Sequence, residues 1–224
     1  MIKFSNVSVD YPYSEGLTDV NVEFKDKEFT LVLGPTGSGK STLLRLIYMD
    51  IYPSSGRVDV QKWSSKKITA RKIKKLRRNI GIVFQDFRLI ENLSVFENVA
   101  LPLIINGYSR KYIKRKVEAI LDEIGLLDSI RQKAGTLSKG EEQRVAIARA
   151  VVKNPFVILA DEPTGNLDPD SSITVFNLLR KINKLGTAVI MATHDYLLIK
   201  DAPNRKILMD NGKILKKQEI EKNA

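Results

Sequence analysis

Gly34-Pro35-Thr36-Gly37-Ser38-Gly39-Lys40-Ser41 fits the pattern G-x-x-x-x-G-K-[ST], the signature of a loop that cradles phosphate when it joins a strand to a helix. Glycines let the backbone N–H groups turn inward around phosphate oxygens, and a helix N-terminus adds partial positive charge. In such a loop Lys40 reaches the β- and γ-phosphates of a nucleoside triphosphate, and the Ser41 hydroxyl holds Mg²⁺. The flanks agree with this reading. The apolar run Phe29–Leu33 precedes the loop, and Ser41–Met49 follows with helical spacing. A chance glycine-rich turn explains neither flank.

A metal-bound triphosphate needs an acid at the tip of a buried strand. Phe156-Val157-Ile158-Leu159-Ala160 leads into Asp161-Glu162. Successive residues at a strand end point different ways, so Asp161 is placed to face the metal and Glu162 the attacking water, as general base. The bland reading is a pair of solvated acids. His194, the only histidine, follows the apolar run Val189–Thr193. Another strand end beside the phosphate site suits hydrogen bonding to the γ-phosphate and to water, although a lone histidine is often structural. Gln85 follows Ile80–Phe84, and its neutral amide can ligate Mg²⁺ or orient water; taken alone, a surface glutamine explains it equally. Ser138 and Glu141 are spaced as a capping box that opens a helix. That helix start can donate to an anion or be an ordinary cap.

These residues require strands to carry them. Ile2–Val9, with apolar positions 2, 4, 7 and 9, reads as an imperfectly alternating strand, and Thr18–Phe24 as a second. Phe29–Leu33, Ile80–Phe84, Phe156–Ala160 and Ala188–Ala192 are short apolar runs of the kind buried on both faces. Val95 to about Val152 is almost wholly helical in period, broken at Asn106-Gly107 and near Gly135-Thr136, and Ile173–Lys184 is helical. Lys206–Met209 and Lys213–Lys216 close the chain as a hairpin over Asn211-Gly212. Strand–helix alternation at both ends implies an α/β fold with a parallel core and a helical insertion in the middle.

The 224 residues suit one or two domains with a sizeable core. An apolar fraction of 43% with 28% charged residues excludes wholesale disorder. With no cysteine, disulfides, thiolate zinc sites and thiol nucleophiles are excluded. The N-terminus lacks the apolar stretch of a signal peptide. The longest uncharged apolar stretch, Val99–Ile105, is far below the roughly 20 residues that span a bilayer. There are 37 Lys and Arg against 26 Asp and Glu, a net charge of +11. The excess is local: Lys62, Lys66, Lys67, Arg71, Lys72, Lys74, Lys75, Arg77 and Arg78 fall in a stretch, Gln61–Ile80, without an acid. Such a block suits nucleic acid, an anionic membrane face, or simply a solvated helix.

In this order the motifs resemble the nucleotide-binding subunit of ATP-binding cassette (ABC) systems, over Met1 to about Lys217. The matching pieces are the phosphate loop Gly34–Thr42, a glutamine loop at Gln85 and a signature Leu137–Glu141. An acid-tipped strand at Asp161-Glu162, the loop Gly165-Asn166-Leu167-Asp168 and a switch histidine at His194 complete the series. The resemblance implies a P-loop NTPase (RecA-like) parallel core with an N-terminal antiparallel β-subdomain and an inserted α-helical subdomain. One ABC domain would occupy 1–224, its core about 1–86 and 155–224, its helical part about 87–154. It further implies an ATPase in which two copies pair head to tail over two ATP molecules and Mg²⁺. Ser138 and Gly140 of one copy, with Asp168, would then meet nucleotide held by the other. Tyr11, or alternatively Tyr13, stands where the family stacks an aromatic ring on adenine. Val83–Ile105 would form the groove for a membrane partner, placing the chain peripherally on the cytoplasmic side of the inner membrane. The basic block would then lie near the anionic inner leaflet, with nucleic acid disfavoured because there is one cassette and no coiled-coil insertion.

The signature departs from the family's L-S-G-G-Q. Lys139 replaces the first glycine and Glu141 the glutamine, which leads to an expectation of slow but real hydrolysis. Leu76–Gly81, Phe84-Gln85-Asp86, Asn98–Ile105 and Met191–Asp195 resemble the family's cell-division branch, which regulates peptidoglycan hydrolases through a membrane protein. Ala160–Asp168 is shared with lipoprotein-release and macrolide-export branches.

Overall fold

The computed structural model describes residues 1–12 and 14–215; Tyr13 and Lys216 lie outside the described residues. The N-terminal sheet contains β1 (Ile2–Tyr11), β2 (Ser14–Phe24), β4 (Ser55–Val60) and β5 (Trp63–Ser64), antiparallel in the order β2-β1-β4-β5. The broken alternation in β1 has a physical cause. Ile2 and Phe4 are buried, Asn6 sits at φ 49°, and Val7 and Val9 are then buried. The pairing register with β2 shifts between Phe4 and Val7. The bulge adds one residue and thereby turns odd-numbered side chains inward.

The second sheet runs β10 (Lys213–Ile214), β9 (Arg205–Asp210), β3 (Phe29–Leu33), β8 (Ala188–Thr193), β7 (Val157–Asp161), β6 (Ile80–Val83). It is parallel except at β10, which returns antiparallel over Asn211-Gly212, at φ 45° and 71°. Both faces are covered, which explains the continuous apolar runs. Val157 and Leu159 enter a core shared with the antiparallel sheet and α1 (Lys40–Ile47), whereas Ile158 and Ala160 enter a second core with α5 (Lys139–Val151) and α6 (Pro169–Lys184). The carboxyl ends of β3, β6, β7 and β8 therefore open at one edge, where the candidate residues lie.

A third core joins α3 (Val95–Ile105), α4 (Arg110–Glu123) and α5. Helical period does not continue to Gly135 as expected; α4 stops at Glu123. Gly125 at φ 68° takes the left-handed position after the cap, Leu126 N–H donates to Leu121 O (2.8 Å), and Gly125 N–H to Asp122 O (3.1 Å). This is a Schellman ending. The released segment runs back to α3, where Val95 and Phe96 N–H donate to Gln132 and Ile130 carbonyls. Donors that a helix start leaves unpaired are thus satisfied. The helix that one reading of the basic block implied is observed as α2 (Ala70–Arg78), which carries much of that block. Among the described residues no helix is long and apolar enough to cross a membrane.

Candidate functional site

The loop from Gly34 joins β3 to α1, and its last glycine, Gly39, caps α1 at φ 98°. A side chain there would be strained by that backbone and would run into Leu17, 2.7 Å from its Cβ. Gly34, Pro35, Thr36, Gly37 and Ser38 form the turn, and the buried Ser38 Oγ has no partner. A buried hydroxyl without a protein partner, inside a ring of backbone turns, fits a loop that binds phosphate. Lys40 is buried. Its ammonium donates to Gly34 O (2.8 Å) and Pro35 O (3.0 Å) and lies 3.3 Å from Glu162 Oε1.

The two strand-tip acids diverge as the alternation argument requires. The Ser41 hydroxyl donates to Asp161 Oδ1 at 3.0 Å across 120 residues of sequence. Burial pushes the Asp161 carboxyl above the usual carboxylate range, and the Glu162 charge adds to the shift. The Ser41 hydrogen bond and nearby Lys40 pull the other way. Glu162 carries φ 45°, a left-handed backbone at a non-glycine residue, held by its N–H donating to Ala192 O (2.9 Å). Its Oε2 meets His194 Nδ1 at 2.9 Å and accepts from the His194 backbone N–H at 3.3 Å. Strain of this kind persists where surrounding structure over-determines it, which is typical of functional sites. Glu162, His194, Thr164, Leu167 and Ser172 line a cleft of about 730 Å³ beside the strand tips. Thr42 lies half-buried in the first turn of α1.

Gln85 is turned toward the same tip. Its backbone carbonyl accepts from Asn166 Nδ2 (3.2 Å), and its side-chain amide nitrogen lies 3.5 Å from where a Cβ on Gly165 would stand. The metal pair brought into direct contact is thus Ser41 with Asp161; Gln85 stands over the adjoining loop. Two hard oxygen donors beside a phosphate loop fit Mg²⁺, which keeps several waters and takes one or two protein ligands plus phosphate oxygens. Tyr11, half-buried, packs against the antiparallel-sheet core, and its hydroxyl is buried without a partner.

Signature residues are occupied differently. Ser138 caps α5 in a full capping box, its N–H donating to Glu141 Oε2 (2.9 Å) and its hydroxyl to the same oxygen (2.7 Å). These bonds hold the Glu141 carboxyl below its ordinary range. Lys139 folds back along the helix: its ammonium is 2.7 Å from Glu142 Oε2 and 5.4 Å from the Phe87 ring centre. Gly140 touches the start of α6 so closely that a Cβ would fall 2.7 Å from Ser171 Oγ. Asp168 caps α6 by accepting from Ser171 N–H (2.9 Å), which lowers its carboxyl's pKa.

Two residues not singled out from sequence tie α5 to these loops. Buried Gln143 donates its amide to Pro163 O behind the strand tip. Arg149 donates to the carbonyls of Phe87 and Arg88, two consecutive non-glycine residues at φ 55° and 49°. Gln143 shares its face with Ala146, Ile147 and Ala150; a polar side chain interrupting a buried stripe is the signal that would have marked it.

Comparison with known proteins bears directly on this geometry. A model of the family described as ABC transporter matches residues 17–165. The chain belongs to the ABC transporter family. Among its relatives, the cell division ATP-binding protein FtsE of Streptococcus pneumoniae is 42% identical over 207 residues, spanning 91% of this chain and 90% of that protein. The solved structure of the ATP-binding cassette MJ0796, a dimer in a post-hydrolysis state with ADP and Pi, superposes with TM-score 0.86 at 36% identity. It covers 96% of this chain and 97% of that one. The cassette cbiO1 of Clostridium perfringens, part of the transporter complex cbiONQ, superposes at 0.88 with 30% identity over 99% and 91%. The ABC cassette fold expected from the motif order is the fold observed.

Proposed function

We propose that this chain is an FtsE-like ABC ATPase of bacterial cell division, which converts ATP binding and hydrolysis into a movement of a membrane partner. The observation that carries the chemistry is the Glu162 carboxylate, held between the Lys40 ammonium at 3.3 Å and the His194 ring at 2.9 Å at the mouth of the phosphate loop. Lys40 and the loop N–H groups bind and orient the triphosphate. Glu162 takes a proton from water as the water oxygen bonds to the γ-phosphorus; the bond to the ADP oxygen breaks and phosphate leaves. His194 holds the Glu162 side chain in place and offers a hydrogen bond to the γ-phosphate. Ser41 and Asp161, with Gln85 nearby, would hold Mg²⁺, which neutralises charge on the phosphate oxygens. Tyr11 is the adenine-side aromatic of this reading.

In this reading two copies assemble head to tail, so that Ser138 and Gly140 of one copy, with Asp168, close over nucleotide held by the other; the dimeric cassette MJ0796 supports it. The domain organisation is a single cassette over 1–224 with a core of about 1–86 and 155–224 and a helical part of about 87–154. The membrane partner, an FtsX-like protein, docks on Val83–Ile105. Ile90, Ile104 and Ile105 are exposed there, on a segment stiffened by buried Asn98, which bonds the Ile90 N–H and the Ile90 and Ser94 carbonyls. The place of action is the cytoplasmic side of the inner membrane. The second reading, the ATPase of a lipoprotein-release or macrolide-type exporter, shares this chemistry and differs only in the partner; the FtsE relatives favour the first.

Phosphate release and nucleotide binding, measured side by side, test the assignment. Glu162→Gln is expected to retain ATP binding while turnover falls by roughly 10²–10⁴-fold. Turnover at the parental rate would contradict it.

A further inference from the structure

The basic block is the strongest feature that the ATPase chemistry leaves unused. All nine of its cations are exposed, and among the described residues only Arg77 has an acidic partner, Asp50 at 3.8 Å. Four of them lie on α2 at positions i, i+3, i+4 and i+7: Arg71, Lys74, Lys75 and Arg78. At helical spacing these form one stripe. It runs opposite Ile73 and Leu76, which pack inward.

That stripe is costly to the isolated helix. Like charges repel at 71–75 and 74–78, each i,i+4 pair opposing the helix by a few tenths of a kcal/mol in general. Arg71 and Lys72 also occupy the first turn, where no acid is present and where the helix dipole disfavours positive charge. A merely solvated face would gain from mixed signs. The rest of the chain shows such mixing, being close to neutral once the block is set aside.

We infer that this stripe, extended by Lys62, Lys66 and Lys67 of the preceding turns, is a contact surface for a bilayer rich in anionic phospholipid. Its position supports a lipid surface over nucleic acid. Arg77 lines a cleft of about 560 Å³ together with Phe84 and Arg88, so α2 borders the segment proposed above to meet the membrane protein. The aromatic rings that touch these cations are already covered by them and not offered to bases: Arg77 lies over Tyr48 (5.8 Å) and Lys62 over the half-buried Trp63 (5.4 Å), and in the same cleft Arg88 lies over Phe84 (3.9 Å). The inference rests on that proposed docking side for its orientation, not for its chemistry.

The test uses the full chain without any membrane partner. Its binding is measured on vesicles of phosphatidylcholine alone and on vesicles with about 30% phosphatidylglycerol, at low and high salt. Binding is expected only with the anionic lipid and is expected to fall with salt. Each cation near such a surface is worth roughly a fivefold change in partitioning. The variant Arg71→Gln/Lys74→Gln/Lys75→Gln/Arg78→Gln should therefore lose roughly 10²-fold or more, with its ATP hydrolysis unchanged. Equal binding to neutral vesicles, an unchanged variant, or stronger retention on duplex DNA of equal phosphate content would each overturn the inference. ATP hydrolysis by the parent is assayed in parallel. Its absence would defeat the ATPase reading and leave the lipid result to stand by itself.

Discussion

The mouth of the phosphate loop and the start of α5 are both built around charged groups at the edge of the parallel sheet, yet they are finished to different degrees. At the loop, three segments far apart in sequence converge: Lys40 on Glu162, Glu162 on His194, Ser41 on Asp161. At the α5 start, Ser138 bonds only within its own turn and Lys139 lies against Glu142. One region is assembled by the fold of a single chain. The other is a capped helix end with its donors turned on themselves, and in the proposed reading it gains a catalytic role only when a second copy is brought to it. In the proposed reading such a division would tie hydrolysis to association, because one chain assembles the reacting groups and a second copy supplies the closing contact.

Removing the histidine is the stronger way to break this contrast. His194→Ala leaves Glu162 bonded to Lys40 and to the backbone N–H of residue 194 but removes the ring that meets its Oε2, and turnover should fall by roughly 10- to 100-fold with ATP affinity preserved. An ATP affinity reduced in the same proportion would show that His194 serves binding and not the orientation of Glu162. Lys139→Gly probes the other region and should do less. The side chain already folds back onto Glu142, so turnover should change less than about twofold, while thermal stability falls by about 0.5–1 kcal/mol because glycine enters a helix. A large rise in turnover would show instead that Lys139 crowds the nucleotide of a second copy and causes slow hydrolysis.

A third perturbation, smaller again at neutral pH, concerns the junction behind both regions. Burial lowers the pKa of Lys153, whose ammonium donates to Arg77 O (3.1 Å), to about 8. Between that value and the ordinary lysine range the unfolded chain holds more protons than the folded one, so stability rises with pH there. The rise in melting temperature from about pH 8 to 10 should be smaller in Lys153→Met than in the parent. Equal slopes would place the lysine in water.

Much of the phosphate side was legible because its motifs encode local geometry. Gly39 must take a left-handed backbone, Asp161 and Glu162 must end a strand buried on both faces, and His194 follows another such strand. The hairpin at Asn211-Gly212 and the capping box at Ser138 were legible for the same reason. Contacts that depend on distant packing were not. Arg149 reaches Phe87 and Arg88 across 60 or more residues, and Gly140 owes its small size within the chain to Ser171 on another helix. Nothing in local spacing reports either. Strand β4 escaped because only Val58 and Val60 mark its buried face after a polar Ser54-Ser55-Gly56 turn. Helix α2 was legible only as one reading of a charged block, and its bounds were not, because charge masked the two inward positions that define it, Ile73 and Leu76.

The central claim is that a second copy completes the site. Light scattering on the Glu162→Gln chain, with Mg²⁺ and ATP compared against Mg²⁺ and ADP, tests it most directly. The mass is expected to double with ATP and to remain that of the monomer with ADP, and Ser138→Arg is expected to abolish the doubling. A chain that binds ATP and stays monomeric would contradict it.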